Sequence, residues 1–235
     1  MKEIIVNGLV SLGAAFLGAW FAYRFNLKQQ KKWDKQRQEE EKKKEREEQI
    51  LQLSYLQTYL IAYIGWCQKI EFTLKRYLDR YDKLYQRTDK LTPEEALQLG
   101  SSFIDAKYRF QNNYEKLYFT STCPQFLLCL AKVDTGIQWL CSSLDFLNTS
   151  LASVLSKVQT PEDVPGALYV NKYNLKNALQ LVYSTAASLD EMLQVLYTYV
   201  DQNNLKLPVI LKCDESVKAF LEMSKNKVKE CRNEK

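Results

Sequence analysis

The chain contains no histidine. With it go the imidazole general base, phosphohistidine transfer and the commonest metal ligand, along with the Glu-x-x-His pairs of di-iron bundles. Glycine is scarce, with seven in 235 residues. Gly8, Gly13 and Gly18 fall in one apolar run. Gly65, Gly100, Gly136 and Gly166 are too scattered to form a phosphate-cradling loop. The six cysteines (Cys67, Cys123, Cys129, Cys141, Cys213 and Cys231) make no C-x-x-C pair, which argues against a zinc site or a thioredoxin-type motif. Strand-length alternation of apolar and polar residues is missing too, as is any hairpin turn between apolar runs. The expected fold is therefore all-α.

What the sequence has is a long uncharged run over residues 4–23, followed at once by Arg24, Lys28, Lys31, Lys32, Lys35 and Arg37. At about 1.5 Å rise per residue, a helix of this length covers roughly the 30 Å hydrocarbon core of a bilayer. The small residues Ala19 and Ala22 make no A-x-A cleavage pattern, and the apolar stretch exceeds the 7–15 residues usual in a signal peptide. Residues 1–25 thus read as an uncleaved single transmembrane anchor. The basic cluster outweighs Lys2 on the other side, so the positive-inside bias places the N-terminus outside and the rest in the cytoplasm. The expected location is a cell or organelle membrane. Trp20 and Tyr23 stand at the inner boundary, where amphipathic rings are favoured. Ala14, Gly18 and Ala22 share one helical face and would let two backbones approach closely. That face is either a homo-oligomer contact or the Gly and Ala common in membrane helices.

Residues 26–49 are almost entirely Lys, Arg, Glu and Gln. Such a segment has no core to bury, and the sequence predicts a charged helical stalk. Glu39/Lys43 and Glu40/Lys44 are spaced four apart with the acid first, the better orientation for mutual support. The basic first half suits anionic lipid headgroups at about 1 kcal/mol per Lys or Arg near the surface, although a merely solvated charged helix fits as well.

Residues 50–235 change character. Leu53, Leu56, Leu60, Tyr63, Cys67, Ile70, Leu74, Tyr77, Tyr81 and Leu84 recur at steps of three and four, widened by Ile64, Leu78 and Tyr85. The broad face suits a bundle better than a two-stranded coiled coil. Thr92-Pro93-Glu94-Glu95 predicts a second helix start, with Phe103, Ala106, Phe110, Tyr114 and Leu117 on one face. A third helix opens at Pro124 and repeats Phe126, Leu130, Val133, Ile137, Leu140, Leu144, Leu147, Leu151 and Val154. The stretch from Thr160 to Gly166, with two prolines, predicts a loop. A fourth helix carries Leu175, Leu179, Val182, Ala186, Leu189, Leu193, Leu196 and Val200, ended by Asn203 and Pro208. Asp214 is placed to cap a short last helix with Val217, Phe220, Leu221 and Val228. The expectation is an up-and-down antiparallel bundle of four long helices plus a short C-terminal one.

Cys67, Cys129 and Cys141 take apolar positions of these patterns, where a reduced thiol serves as a small hydrophobe. The sequon at Asn148 lies inside a helical stretch and reads as accidental. Trp66 and Trp139 are expected in or near the core, and Glu71 and Asp79 at a solvated edge. Fifteen tyrosines include Tyr63, Tyr77, Tyr81 and Tyr114 on apolar faces, expected as packing at the bundle's rim. The C-terminal charges are too balanced for a nucleic-acid patch, so no nucleic acid is expected as partner. No catalytic constellation, cofactor site or metal site is legible. Three function classes remain: a membrane-anchored bundle that binds a protein partner as scaffold, sensor arm or effector; a membrane-remodelling or pore-forming oligomer; and a tethered enzyme whose pocket the spacing does not expose. The first, non-catalytic, is the expectation.

Overall fold

A computed structural model describes residues 2–86, 123–156, 160, 163–209, 211 and 213–233; for residues 2–12 and a few others within helices it describes the backbone alone. Among the described residues the chain is all-helical, with no strand. The helices are α1 (Lys2–Tyr85), α2 (Pro124–Ser156), α3 (Val164–Gln202) and α4 (Glu215–Asn233). The expected second helix, from Thr92 through Leu117, lies outside what is described, as do the side chains of Leu84, Tyr85, Leu151 and Val154 in the seams. Two compact units divide the chain at residues 49 and 50.

The first unit, residues 1–49, is helical from Lys2 onward. From Gly13 to Glu48 every side chain is exposed, and from residue 26 on the segment of Lys, Arg, Glu and Gln has no core to bury. Its ion pairs Lys35–Glu39, Arg37–Glu41 and Lys43–Glu47 are all four apart with the base first. Of the acid-first pairs read from the sequence, Glu39/Lys43 is displaced, since Glu39 answers Lys35 and Lys43 answers Glu47; no ion pair joins Glu40 to Lys44 among the described residues.

The second unit is the helical bundle. The seam of α1 from Leu53 to Tyr81 is buried, as are Phe126, Leu130, Val133, Ile137, Leu140, Leu144 and Leu147 of α2. On α3 the positions from Leu175 to Val200 are buried, with Leu179 partly so. Polar contacts fix the directions. Glu71 meets Tyr183, and Tyr81 meets Asn171, so α1 and α3 run antiparallel. Gly136 meets Thr185, and Ser150 meets Asn174, so α2 and α3 are antiparallel as well. Lys225 reaches Asp190, and Cys231 reaches Gln180, which sets α4 antiparallel to α3. Gln68 with Ser216 and Lys75 with Met223 then place α4 parallel to α1.

Helix ends follow the local chemistry. The carboxylate of Asp214 accepts the Val217 amide at 2.8 Å and caps α4, as the sequence implies. Asn203 stands at the C-cap of α3, Asn204 takes a left-handed φ of 49°, and the Leu205 amide closes onto the Val200 carbonyl at 2.9 Å. The start of α3 departs from expectation. It begins at Val164, inside the stretch read as a loop, because Pro165 falls in the first turn, where its missing amide costs nothing. Asp163 precedes it without a side-chain cap, its carboxylate instead accepting from the amide and hydroxyl of Thr160.

Candidate functional site

In the N-terminal unit a helix turns the basic cluster into a stripe. At 100° per residue, Arg24, Lys28, Lys31 and Lys35 fall on one face, with Lys32 at its edge and Arg37 on the opposite side. Trp20 continues the stripe, and the guanidinium of Arg24 lies 5.1 Å from the centroid of its ring. Phe16, Leu17, Phe21, Tyr23 and Phe25 are exposed around it. Ala14, Gly18 and Ala22 also share a face, and a methyl group built at Gly18 meets nothing within 4 Å. Among the described residues no helix is long and apolar enough to cross a membrane. The side chains of residues 4–12, nearly half of the apolar run, lie outside them.

The bundle holds a polar cluster that the sequence does not announce. Glu71, expected at a solvated edge, is buried. The hydroxyl of Tyr183 donates to its Oε1 at 3.3 Å, and Lys75, one turn on, forms an ion pair with the same oxygen. The Lys75 head also lies 3.8 Å from the sulfur of Met223 on α4. That hydrogen bond to Glu71 raises the Lys75 ammonium above its ordinary value, and burial raises the Tyr183 phenol. Asp79, by contrast, is exposed and pairs with Lys83, as a solvated edge requires.

A second buried pair joins Tyr81 and Asn171, whose Nδ2 donates to the phenol oxygen at 3.3 Å. Burial dominates there and pushes the Tyr81 phenol up to about 12, with the Asn171 bond opposing it. Asn171 Oδ1 and Gln57 Oε1 are buried and accept no hydrogen bond among the described residues, while Gln57 Nε2 donates to the Val209 carbonyl at 3.2 Å. The third pair is Asp190 with Lys225 at 2.6 Å, linking α3 to α4. Tyr63, Tyr77 and Tyr81 are core residues rather than rim packing, while Tyr114 lies outside the described residues.

Most of the thiols are drawn into the bundle's packing. Burial raises Cys67, Cys129, Cys141 and Cys213, so these sulfurs stay protonated at neutral pH. Cys67 and Cys129 are buried and Cys141 half-buried, and no disulfide joins the described cysteines. No group of three metal-ligating side chains occurs among the described residues. Between α3 and α4 a groove of about 650 Å³ is lined by Leu181, Tyr183, Val228 and Cys231 together with the polar Asn177, Gln180, Ser184 and Lys227.

Trp66 is buried as expected, but Trp139 is not: about 66% of it is open, as is 66% of Phe146 and 59% of Leu128. The seam of α2 follows Ile137, Leu140 and Leu144, and Trp139 points well away from it. The three apolar side chains lie on the outward face of α2, which is open from Leu128 to Thr149.

These features define the class, an all-helical bundle preceded by a charged, exposed helix. No family model, no curated protein and no solved structure matches the chain.

Proposed function

We propose that the protein is a single-pass membrane protein whose cytoplasmic helical bundle works by binding other proteins. One observation supports this reading above the rest: an uncharged run at residues 4–23 passes directly into a helix whose Trp20, Arg24, Lys28, Lys31 and Lys35 share a face. An aromatic ring at the headgroup level followed by a row of cations suits the inner leaflet, where anionic lipid attracts each base. The exposed, ion-paired residues up to Gln49 then act as a stalk. The bundle begins at Ile50.

Protein binding rather than chemistry follows from what the bundle offers. Tyr183 and Glu71, and Asn171 and Tyr81, are tied to one another across helices, burial raises the thiol of Cys67, and the open surface includes large apolar side chains on α2. Such a patch on a helix face suits a partner.

The experiment is a reporter fused to the C-terminus of the full chain, paired with extraction of membranes at high pH. The expected result is a protein that stays in the membrane pellet, with reporter activity only in its cytoplasmic form. Release into the supernatant, reporter activity on the outer side, or a glycan on Asn148 overturns the reading.

A further inference from the structure

We infer that the outward face of α1 within the bundle is a docking surface for an acidic, amphipathic helix of a partner protein. Leu51, Tyr55, Ala62 and Gly65 fall within about 60° of one line along α1, and Lys69, Phe72, Arg76 and Arg80 continue it. From Leu51 to Arg80 that line is roughly 44 Å long. Its two halves differ. Residues 50–68 hold no charge, and Leu51 and Tyr55 are exposed there. Ala62 and Gly65 make the face shallow, and a methyl group built at Gly65 meets nothing within 4 Å. Beyond Gln68 the exposed charges on the line are all positive, with Phe72 open among them.

These cations lack the partners that their neighbours have. Lys75 pairs with Glu71, Lys83 with Asp79 and Lys172 with Asp82, which engages every carboxylate that α1 carries within the bundle. Among the described residues Lys69, Arg76 and Arg80 form no ion pair, and the guanidinium of Arg76 rests 5.8 Å from the centroid of the Phe72 ring. Like charges four apart on a helix oppose each other, and an anion set between Arg76 and Arg80 relieves that repulsion. A hollow of about 210 Å³ lies there, lined by Thr73, Arg76, Tyr77 and Arg80. It has room for a carboxylate side chain, and a guanidinium grips a carboxylate through two parallel hydrogen bonds.

The length of the face favours a helix over a small anion. A phosphate ion uses the hollow alone and leaves Leu51, Tyr55 and Gly65 without a role. A helix laid along α1 uses both halves: small and apolar residues over the shallow stretch at Gly65, carboxylates three or four apart over the arginines. A strip about 44 Å by 10 Å makes a transient contact and not a permanent one. The inference rests on the proposed protein-binding role and gives the partner its chemistry.

The experiment places p-benzoylphenylalanine at Phe72, ring for ring, in the full chain in its own cells, applies light and sequences the cross-linked peptides. The expected result is one partner segment bearing Asp or Glu three or four residues apart. Arg76→Glu with Arg80→Glu lowers the yield at least tenfold. Lys176→Glu with Lys229→Glu, the same charge change at exposed sites on α3 and α4, leaves it within twofold. Changing the partner's acids to Lys restores the yield of the arginine variant, and circular dichroism shows unchanged helix content in both pairs. A cross-link to lipid, to a second copy of this chain or to a segment without paired acids overturns the inference, as does a yield indifferent to the arginines. A protein captured by the same probe at Trp139 with none at Phe72 refutes this surface and leaves the protein-binding role standing. Silence at both positions removes both.

Discussion

The hydroxyl of Tyr183 donates to the buried carboxylate of Glu71 at 3.3 Å, joining α3 to α1 across 112 residues of chain. Lys75 holds the same oxygen from one turn further along α1. Replacing Glu71 with Ala strands a buried phenol and removes the partner of Lys75, for a loss of about 1–3 kcal/mol. Glu71→Gln keeps an acceptor in place and loses less. Urea melts of the two variants check this. A change below about 0.5 kcal/mol for the alanine variant returns Glu71 to the solvated edge.

Leu144 lies at the centre of the most regular seam and is fully buried. Truncation to Ala removes its packing and leaves a cavity, at a cost of about 2–5 kcal/mol. The same substitution at exposed Leu128 is expected to stay within about 0.5 kcal/mol. Equal effects at the two positions would mean that α2 turns a different face to the core.

Alkaline pH is where the bundle weakens. Lys75 and Lys225 are raised by hydrogen bonds to Glu71 and Asp190, so their contribution is complete below the ordinary lysine range and is lost as pH rises through the raised values. Tyr81 has the same sign: the unfolded phenol ionises near pH 10 and the folded one near 12, so stability falls between these values. A tyrosine displaced by two pH units corresponds to roughly 2–3 kcal/mol. Tyr81→Phe flattens that part of the alkaline decline, at a neutral-pH cost of about 1–3 kcal/mol for the stranded Asn171 amide. Denaturant midpoints at pH 7, 10 and 11.5 measure both effects.

A methyl group at Gly18 meets nothing within α1, so substitution there reads contacts between chains and not strain within one. Gly18→Ile is expected to insert normally, since Ile is well tolerated in lipid, and to weaken self-association of the 1–25 segment in a membrane dimerisation assay. An unchanged signal makes Ala14, Gly18 and Ala22 filler.

The core was legible because burial follows period. Steps of three and four from Leu53 to Tyr81, from Phe126 to Leu147 and from Leu175 to Val200 picked out buried positions with little knowledge of partners. At Trp139 angle outweighs residue type: its offset from Ile137, Leu140 and Leu144 turns the ring outward, against the expectation of a core anchor. The first turn of α3 differs from the expected loop for a related reason: Pro165 breaks a helix from within but sits here where one begins. Glu71 and Asn171 are a different case. Each is buried because a tyrosine arrives from another helix about 90 or more residues away, and no local window contains that partner. Asp214, whose whole cap lies within three residues, was fully readable.

The pairing of Asp190 with Lys225 ties α4 to α3. Asp190 is sealed into α3, and the cation that answers it comes from α4, together with Phe220 and Leu221. Lifting α4 away strands that carboxylate and uncovers an apolar strip in the same motion, so the two helices let go together rather than fraying one contact at a time.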